Sequence, residues 1–117
     1  MSATNAKPAG VACDTLNASQ RRRLEIARAL AARPKLILLD ECLSGLNSSE
    51  IDQGIALVRA IRERGIAVLI IEHMVRVMAT LADRIVVLDR GEKIADGPAA
   101  EVLTDRRALG VYFGATA

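Results

Sequence analysis

The chain has 117 residues, 51% of them hydrophobic, and its 16 basic and 14 acidic residues leave a net charge of +2. This length suits one domain, or part of a larger one, with a buried core. The balanced charge and the presence of only one tyrosine and one phenylalanine disfavour nucleic-acid binding, which relies on basic patches and stacking rings. We therefore expect no nucleic-acid partner.

The cysteines and the short apolar runs indicate a compartment. Cys13 and Cys42 have neither the spacing of a zinc site nor that of a redox motif, which is typical of reduced thiols in the cytosol. No apolar run is long enough to cross a bilayer, and no signal-peptide pattern is present. We expect no direct membrane insertion, so any membrane association would go through a partner.

A segment without periodicity precedes the first helix and strand. Residues 1–15 contain Ala, Gly and Pro and predict a flexible or truncated N-terminal segment. From Gln20, apolar residues recur on one helical face, and Pro34 predicts the end of that helix. The apolar run from Leu36 to Leu39 then predicts a strand that is buried on both faces and ends in two carboxylates.

One basic cluster lies within the first helix, at Arg21, Arg22 and Arg23. Three consecutive residues point in different directions around a helix. A solvated face, or pairing with local acidic residues, is therefore favoured over a phosphate-binding or membrane-surface patch.

The second helix has a clear start signal. Asn47 is suited to cap its N-terminus, and Glu50, three residues later, is suited to reach back to the cap. Gly65 predicts the end of this helix. Its buried stripe is predicted to contain Ile51, Ile55, Val58 and Ile61.

The rest of the chain continues the alternation of strands and helices. In chain order the predicted elements are a strand at 66–71, a helix at 74–81, strands at 84–88 and 93–95, a break at 96–98, and helices up to 102 and at about 105–112. This order predicts an α/β fold with parallel pairing and right-handed crossovers. If the chain is only part of a larger domain and lacks an upstream half, we expect one sheet face or edge to lie open, with aliphatic residues such as Leu38 or Val68 exposed.

Polar residues follow two of the predicted strands, where ligands of parallel sheets bind. Asp40 can hold Mg²⁺, Glu41 can orient or deprotonate an attacking water, and His73 can contact a terminal phosphate. This pattern suggests nucleotide hydrolysis. The structural alternatives are a solvated carboxylate at a strand exit and a hydrogen-bonded loop histidine.

Four ordered motifs resemble those of ABC transporter ATPases. Leu16-Asn17-Ala18-Ser19-Gln20 and the helix after it resemble the signature motif, and Leu36 to Glu41 resembles the Walker B strand with its catalytic glutamate. Ser44-Gly45-Leu46-Asn47 resembles the D-loop, and His73 resembles the switch histidine. The resemblance covers about 16–114. The form of the D-loop, Ile-Glu-His at the switch and the ending Val111-Tyr112-Phe113-Gly114 are similar to the ATP-binding subunits of branched-chain amino acid importers.

The resemblance implies a partial P-loop NTPase (ABC ATPase) fold, with a mostly parallel sheet flanked by helices, a C-terminal β-hairpin and further helices. Residues 16–117 would be the C-terminal half of a nucleotide-binding domain that binds ATP and Mg²⁺ and energises import. Asp40 would serve the metal, and Glu41 and His73 the hydrolysis. The nucleotide-binding residues would be Leu16, Asn17, Ala18, Ser19, Gln20, Ser44, Gly45, Leu46 and Asn47.

The resemblance also implies partners and a location. The signature motif would complete the ATP site of a second ATPase subunit in a head-to-tail dimer, and Arg21 to Arg23 would then place positive charge near that site. Membrane-embedded permease subunits would hold the dimer at the inner face of the cell membrane, on the cytoplasmic side.

Three departures from the family pattern bear on activity. No phosphate loop is present, because none of Lys7, Lys35 and Lys93 follows a glycine, and the glutamine loop is also absent. Asn17 stands where serine is usual, and the next two residues replace ones of which at least the second is normally glycine, where a side chain can block a phosphate or forbid the dihedral angles needed. Cys42 replaces the proline that usually follows the glutamate, which removes a rigid turn.

Three hypotheses follow from these observations. The first is a partial ATP-hydrolysing subunit of an ABC importer. The second is a non-catalytic interaction module that supplies signature and D-loop surfaces to an intact partner. The third is a truncated fragment without function. Because the phosphate loop is missing, the sequence leaves open whether this chain is itself an enzyme, and we expect the isolated chain to bind ATP weakly or not at all.

Overall fold

The computed structural model describes residues 15–113, with side chains up to residue 111. The chain divides into two compact units, Met1–Ile71 and Glu72–Ala117. The predicted flexible segment, apart from Thr15, and the Gly114 end of the family resemblance lie outside the described residues.

In its described part, from residue 15 onward, the first unit contains two helices and a two-stranded parallel sheet. Its elements are α1 (Ala18–Ala31), β1 (Leu36–Asp40), α2 (Ser48–Glu63) and β2 (Ala67–Ile71). β1 pairs with β2 from Leu36 opposite Ala67 to Asp40 opposite Ile71. Parallel pairing of these two strands, with a helix as the crossover, was predicted and is confirmed.

Helix α1 begins and ends earlier than predicted. Asn17 caps it, because its side chain accepts from the Gln20 backbone N–H at 2.8 Å and the Gln20 side chain accepts from the Asn17 backbone N–H at 3.1 Å. This reciprocal pair is a capping box and starts the helix at Ala18. The helix ends at Ala31, and Arg33 has a positive φ of 52° before Pro34. The prediction that Pro34 itself ends the helix was therefore wrong.

Helix α2 confirms its predicted start and buried face. Asn47 accepts from the Glu50 N–H at 2.8 Å, and the Glu50 side chain accepts from the Asn47 N–H at 3.2 Å. The helix ends at Glu63, and Gly65 follows with a φ of 85°, which favours glycine. In the predicted stripe, Ile55, Val58 and Ile61 are buried and Ile51 is half-buried.

The two faces of the parallel sheet differ in burial. Ile37 and Leu39 are buried, and Val68, the partner of Ile37 across the ladder, is half-buried. Leu38 on the other face is 65% exposed, as predicted, whereas the expectation for Val68 was wrong because Val68 shares the covered face. The exposed side also carries Leu36, Leu69 and Ile71.

Up to residue 113, the second unit consists of a β-hairpin and three helices. Its elements are α3 (Val75–Leu81), β3 (Arg84–Asp89), β4 (Glu92–Pro98), α4 (Ala99–Val102) and α5 (Arg106–Phe113). β3 and β4 pair antiparallel. Arg90 and Gly91 connect them, both with positive φ, as in the two-residue turns whose twist matches that of the strands.

The return strand of the hairpin is longer than predicted. Asp96-Gly97-Pro98 was expected to break the chain, but Asp96 pairs with Val86 and Pro98 with Arg84. Pro98 is the last residue of β4 and the N-cap of α4, so its missing N–H interrupts no ladder interior. The buried apolar residues of this unit are Val77, Met78, Leu81, Ile85, Val87, Val102 and Ala108.

Candidate functional site

Two exposed carboxylates stand at the carboxyl end of β1. Asp40 is the last strand residue and lies opposite Ile71 in the ladder. The backbone N–H of Glu41 donates to the Ile71 carbonyl at 2.8 Å, so strand pairing extends one residue beyond β1. The backbone that carries both carboxylates is therefore fixed by the sheet, while their side chains face solvent.

Glu41 has a left-handed backbone, with a φ of 48°. Such a conformation is unfavourable for residues other than glycine, so it persists only where the surrounding structure imposes it. Residues of this kind are common at functional sites. A proline at the next position would push Glu41 towards extended conformations. Cys42 imposes no such restriction. Cysteine in place of the family's usual proline is therefore compatible with the left-handed backbone of Glu41.

The residues 41–47, which we call the site loop, connect β1 to α2. The Ser44 N–H donates to the Glu41 carbonyl at 3.3 Å, and Gly45 has a φ of 76°. Leu43 is 4% exposed and packs against Gly54 of α2, where no Cβ occupies the space. The loop is therefore fixed by an apolar contact in its middle and by the Asn47 cap at its end.

Two of the three clustered arginines bind neutral acceptors. The Arg22 Nη1 donates to the main-chain carbonyl of Ser44 in the site loop. The Arg23 Nη2 donates to the side-chain oxygen of Gln53 on α2 at 2.6 Å. The prediction that these arginines pair with acidic residues is therefore wrong for Arg22 and Arg23, whose acceptors are a carbonyl and an amide oxygen. Both contacts attach α1 to the elements that follow the carboxylates.

The residues that resemble the signature motif form the start of α1. Leu16 is half-buried, Asn17 is the cap, and Ala18 and Ser19 lie in the first helical turn. Neither Ala18 nor Ser19 has a positive φ. Both predicted effects of side chains at these positions, on the dihedral angles and on the approach of a phosphate, stay predictions.

A small groove lies between α1, the site loop and α2. It encloses about 20 Å³, which is room for about one water and not for a nucleotide. Its lining includes Ser19, Arg22, Cys42, Leu46 and Glu50. Any nucleotide that meets these residues would have to bind outside the groove.

His73 belongs to the second unit. It is exposed and lies in 72–74, between the end of β2 and the start of α3. The first unit brings together the two carboxylates, the site loop and, through the Arg22 bond, helix α1. Because His73 belongs to the second unit, it is not among the residues that the first unit brings together.

Asp40 offers only part of a metal site. Within the residues whose side chains are described, no three His, Cys, Asp or Glu side chains cluster as metal ligands. Mg²⁺ in nucleotide sites commonly takes one or two carboxylates and completes its shell with phosphate oxygens and waters. The exposed pair Asp40 and Glu41 fits that donor set if a nucleotide supplies the remainder.

The second unit has its own ion-pair cluster on the hairpin. Arg84 Nη2 lies 2.7 Å from Asp96 Oδ1, and Lys93 Nζ lies 3.0 Å from Asp96 Oδ2. The hydrogen bond from Arg84, assisted by that from Lys93, lowers the pKa of Asp96 to about 2. This cluster joins β3 to β4 and is not part of the candidate site.

Sequence reasoning missed the contacts that organise the site loop. The Arg22 bond and the Leu43 packing both join residues far apart in the chain. The presence of leucines in the site loop, at 43 and 46, was a signal for the second contact. No comparable signal distinguished Arg22 from its two neighbours.

Among the helices described, none has the length and apolar character required to span a membrane.

Comparisons with known proteins show what the chain is similar to. Residues 1–44 match the ABC transporter family. The chain is 39% identical over 101 residues to the high-affinity branched-chain amino acid transport ATP-binding protein BraF of Pseudomonas aeruginosa, covering 86% of this chain and 40% of BraF. It is also 39% identical over 100 residues to the lipopolysaccharide export system ATP-binding protein LptB of Escherichia coli K12, covering 86% and 42%.

Solved structures show the same fold. An ATP-binding cassette of an ABC transporter in its ADP conformation matches with a TM-score of 0.75 and 31% identity, covering 85% of this chain and 41% of the cassette. A dimeric cassette bound to ADP and Pi matches with a TM-score of 0.70 and 28% identity, covering 81% and 42%. The fold is thus a partial ABC ATPase fold of the P-loop NTPase class. The chain spans about two fifths of the length of these relatives, which are ATP-binding proteins of ABC transporters.

Proposed function

We propose that residues 16–117 are the C-terminal half of an ATP-binding subunit of an ABC importer, which in its complete form hydrolyses ATP to drive transport. The observation that carries this proposal is the pair Asp40 and Glu41 at the carboxyl end of a parallel strand. The Glu41 N–H is bonded to the neighbouring strand. The same unit contains the capped start of α1 and the site loop.

The residues would act in distinct roles. Asp40 would hold Mg²⁺, which when bound neutralises phosphate charge. Glu41 would accept a proton from the water that attacks the terminal phosphorus, and ADP would leave with its electron pair. His73 would donate a hydrogen bond to the transferred phosphoryl group. Residues Leu16 to Gln20 and Ser44 to Asn47 would face the nucleotide of a second subunit, near the positive N-terminal end of α1.

The missing phosphate loop limits what the chain does alone. Backbone N–H groups and a lysine of that loop normally cradle the phosphates, and the sequence contains no such motif. We therefore expect these 117 residues on their own to bind Mg-ATP weakly or not at all. A micromolar dissociation constant in calorimetry would contradict this expectation.

Branched-chain amino acids are the proposed cargo. The support is the similarity to BraF together with the Ser-Gly-Leu-Asn form of the site loop and the Ile71-Glu72-His73 sequence. LptB has the same sequence identity to this chain as BraF, 39%. The proposal for the cargo therefore rests on the local motifs and not on overall identity. The proposed partners are a second ATPase subunit in a head-to-tail dimer and permease subunits, which would hold the chain at the cytoplasmic face of the membrane.

A second candidate is a non-catalytic module that docks onto an intact ATPase subunit. One observation favours it: α1 and the site loop are formed and joined to each other, while the sequence has no phosphate loop. In this case the chain contributes surfaces to the nucleotide of its partner, and Glu41 has no chemical role.

One set of mixtures separates these functions. The chain is combined with the part of BraF that it does not match, or with full-length BraF, and phosphate release from Mg-ATP is measured. Glu41→Gln removes the proposed base, and Glu63→Gln at the exposed end of α2 is the matched control. Ser19→Asp places a negative charge at the start of α1, where a partner's phosphate is expected.

The proposed function predicts hydrolysis with the complementary part of BraF that Glu41→Gln abolishes and Glu63→Gln preserves. The module predicts a change in rate only with full-length BraF, insensitive to Glu41→Gln and lost with Ser19→Asp. Absence of any effect in both mixtures would contradict both functions and indicate an inert fragment.

A further inference from the structure

The side chain of Arg22 connects the start of α1 with the middle of the site loop. Its Nη1 donates to the Ser44 carbonyl, and a Cβ atom built on Gly45 would lie 4.0 Å from its Nη2. The guanidinium therefore lies against the peptide group that joins Ser44 to Gly45. This contact is partly buried and lies wholly within the first unit.

This bond is well placed to decide the conformation of the loop. A charged guanidinium donor makes a stronger hydrogen bond than a neutral group. The bond inside the turn, from the Ser44 N–H to the Glu41 carbonyl, is long at 3.3 Å. The next residue, Gly45, has a positive φ of 76° and little intrinsic preference for one conformation.

The other end of the connection is rigid. Arg22 lies two residues after Gln20, whose side chain completes the capping box of α1. Its neighbour Arg23 is bonded to Gln53 of α2. A displacement of the start of α1 would therefore be transmitted through the Arg22 side chain to Ser44, and through the turn to Glu41.

We propose that Arg22 is a positioning residue for Glu41: it links the place where the start of α1 would meet a partner's nucleotide to the turn that carries the proposed base. This inference rests on the proposed function. Arg22 itself touches no reacting atom, so its effect would appear in the rate of the chemical step and not in nucleotide affinity.

The link is tested first on the chain alone by nuclear magnetic resonance. The Ser44 carbonyl and the Gly45 nitrogen share one peptide group, so loss of the bond from Arg22 changes the ¹⁵N shift of Gly45. Arg22→Met should move that signal and speed hydrogen exchange of the Ser44 N–H at least about tenfold, which corresponds to about 1.4 kcal/mol. Arg22→Lys, which keeps a charged donor, should restore part of both effects. Arg23→Met is the matched control, because its acceptor lies on α2.

The catalytic consequence is tested in the mixture with the complementary part of BraF, where the proposed function assigns hydrolysis to Glu41. Arg22→Met should lower kcat at least about tenfold with KM changed less than about twofold, and Arg22→Lys should recover part of kcat. Equal Gly45 shifts in the Arg22→Met and Arg23→Met variants, or an unchanged kcat, would overturn the inference. If the mixture with the complementary part of BraF does not hydrolyse ATP, the proposed function fails, while the resonance measurements still decide whether Arg22 sets the loop conformation.

Discussion

Leu43 fills the space next to Gly54 that a Cβ atom would occupy, so the site loop and α2 approach each other only because residue 54 is a glycine. Leu43 is buried, and its position fixes the middle of the loop that follows the carboxylates. A helix-interior glycine is otherwise unfavourable by about 1 kcal/mol relative to alanine.

Gly54→Ala should therefore destabilise the chain despite its better helix propensity. Displacing Leu43 costs about 1–3 kcal/mol, as for other overpacked contacts, and exceeds the propensity gain. Gly110→Ala is the matched control, since α5 leaves open space around Gly110, and it should stabilise by about 0.5–1 kcal/mol. Urea unfolding gives both values. Stabilisation by Gly54→Ala would show that Leu43 yields freely.

The backbone of Glu41 makes a prediction about stability. Because its φ is positive, Glu41→Gly should raise the free energy of unfolding by about 1 kcal/mol through relief of left-handed strain. Glu41→Gln keeps the left-handed backbone and should not show this gain. Thermal unfolding of the two variants compares them directly. Equal stabilities would mean that the left-handed backbone carries no cost here.

The cap of α1 predicts a difference between two substitutions at one position. Asn17→Ala removes the acceptor for the Gln20 N–H and should cost about 1 kcal/mol, whereas Asn17→Ser should cost only a few tenths. Asn47→Ala, which removes the equivalent cap of α2, should cost about as much as Asn17→Ala. Denaturant titrations measure all three. A serine variant as unstable as the alanine variant would contradict the capping role.

The hairpin predicts a dependence on pH. The pKa of Asp96 falls from its ordinary value of 3.8 to about 2 when it pairs with Arg84 and Lys93, so its contribution to stability is fully present above about pH 4. It is lost as the pH falls towards 2. Asp96→Asn should thus be less stable than the parent above pH 4, with the difference vanishing near pH 2. Melting temperatures from pH 2 to 7 test this, and a difference that persists at pH 2 would exclude titration of Asp96.

The open face of the parallel sheet predicts self-association. Leu36, Leu38, Leu69 and Ile71 are each more than half exposed, and parallel sheets are normally covered on both faces. Light scattering should show mass that grows with concentration, reduced by Leu38→Glu. Ala56→Glu, which adds the same charge on the exposed side of α2, should have little effect. A monodisperse monomer at high concentration would contradict the prediction.

Local signals predict which elements form, and long-range contacts set their bounds. Asn47 and Glu50 stand three residues apart, so their capping box was predictable, whereas the equivalent pair Asn17 and Gln20 was interpreted only as an altered motif. The extension of β4 through Pro98 depends on pairing with Arg84, which no local pattern reveals. Arg33 has its positive φ directly after the C-cap of α1, and Glu41 directly after β1, and neither value was predicted.

The bond from Arg22 ends on a main-chain carbonyl, and every amino acid offers the same carbonyl at position 44. The contact therefore constrains the two positions unequally. Relatives of this chain are free to replace the side chain at 44 and still keep the link, whereas position 22 must retain a long side chain with a donor at its end. Sequence drift at 44 should therefore be a poor guide to whether a related chain keeps this loop conformation.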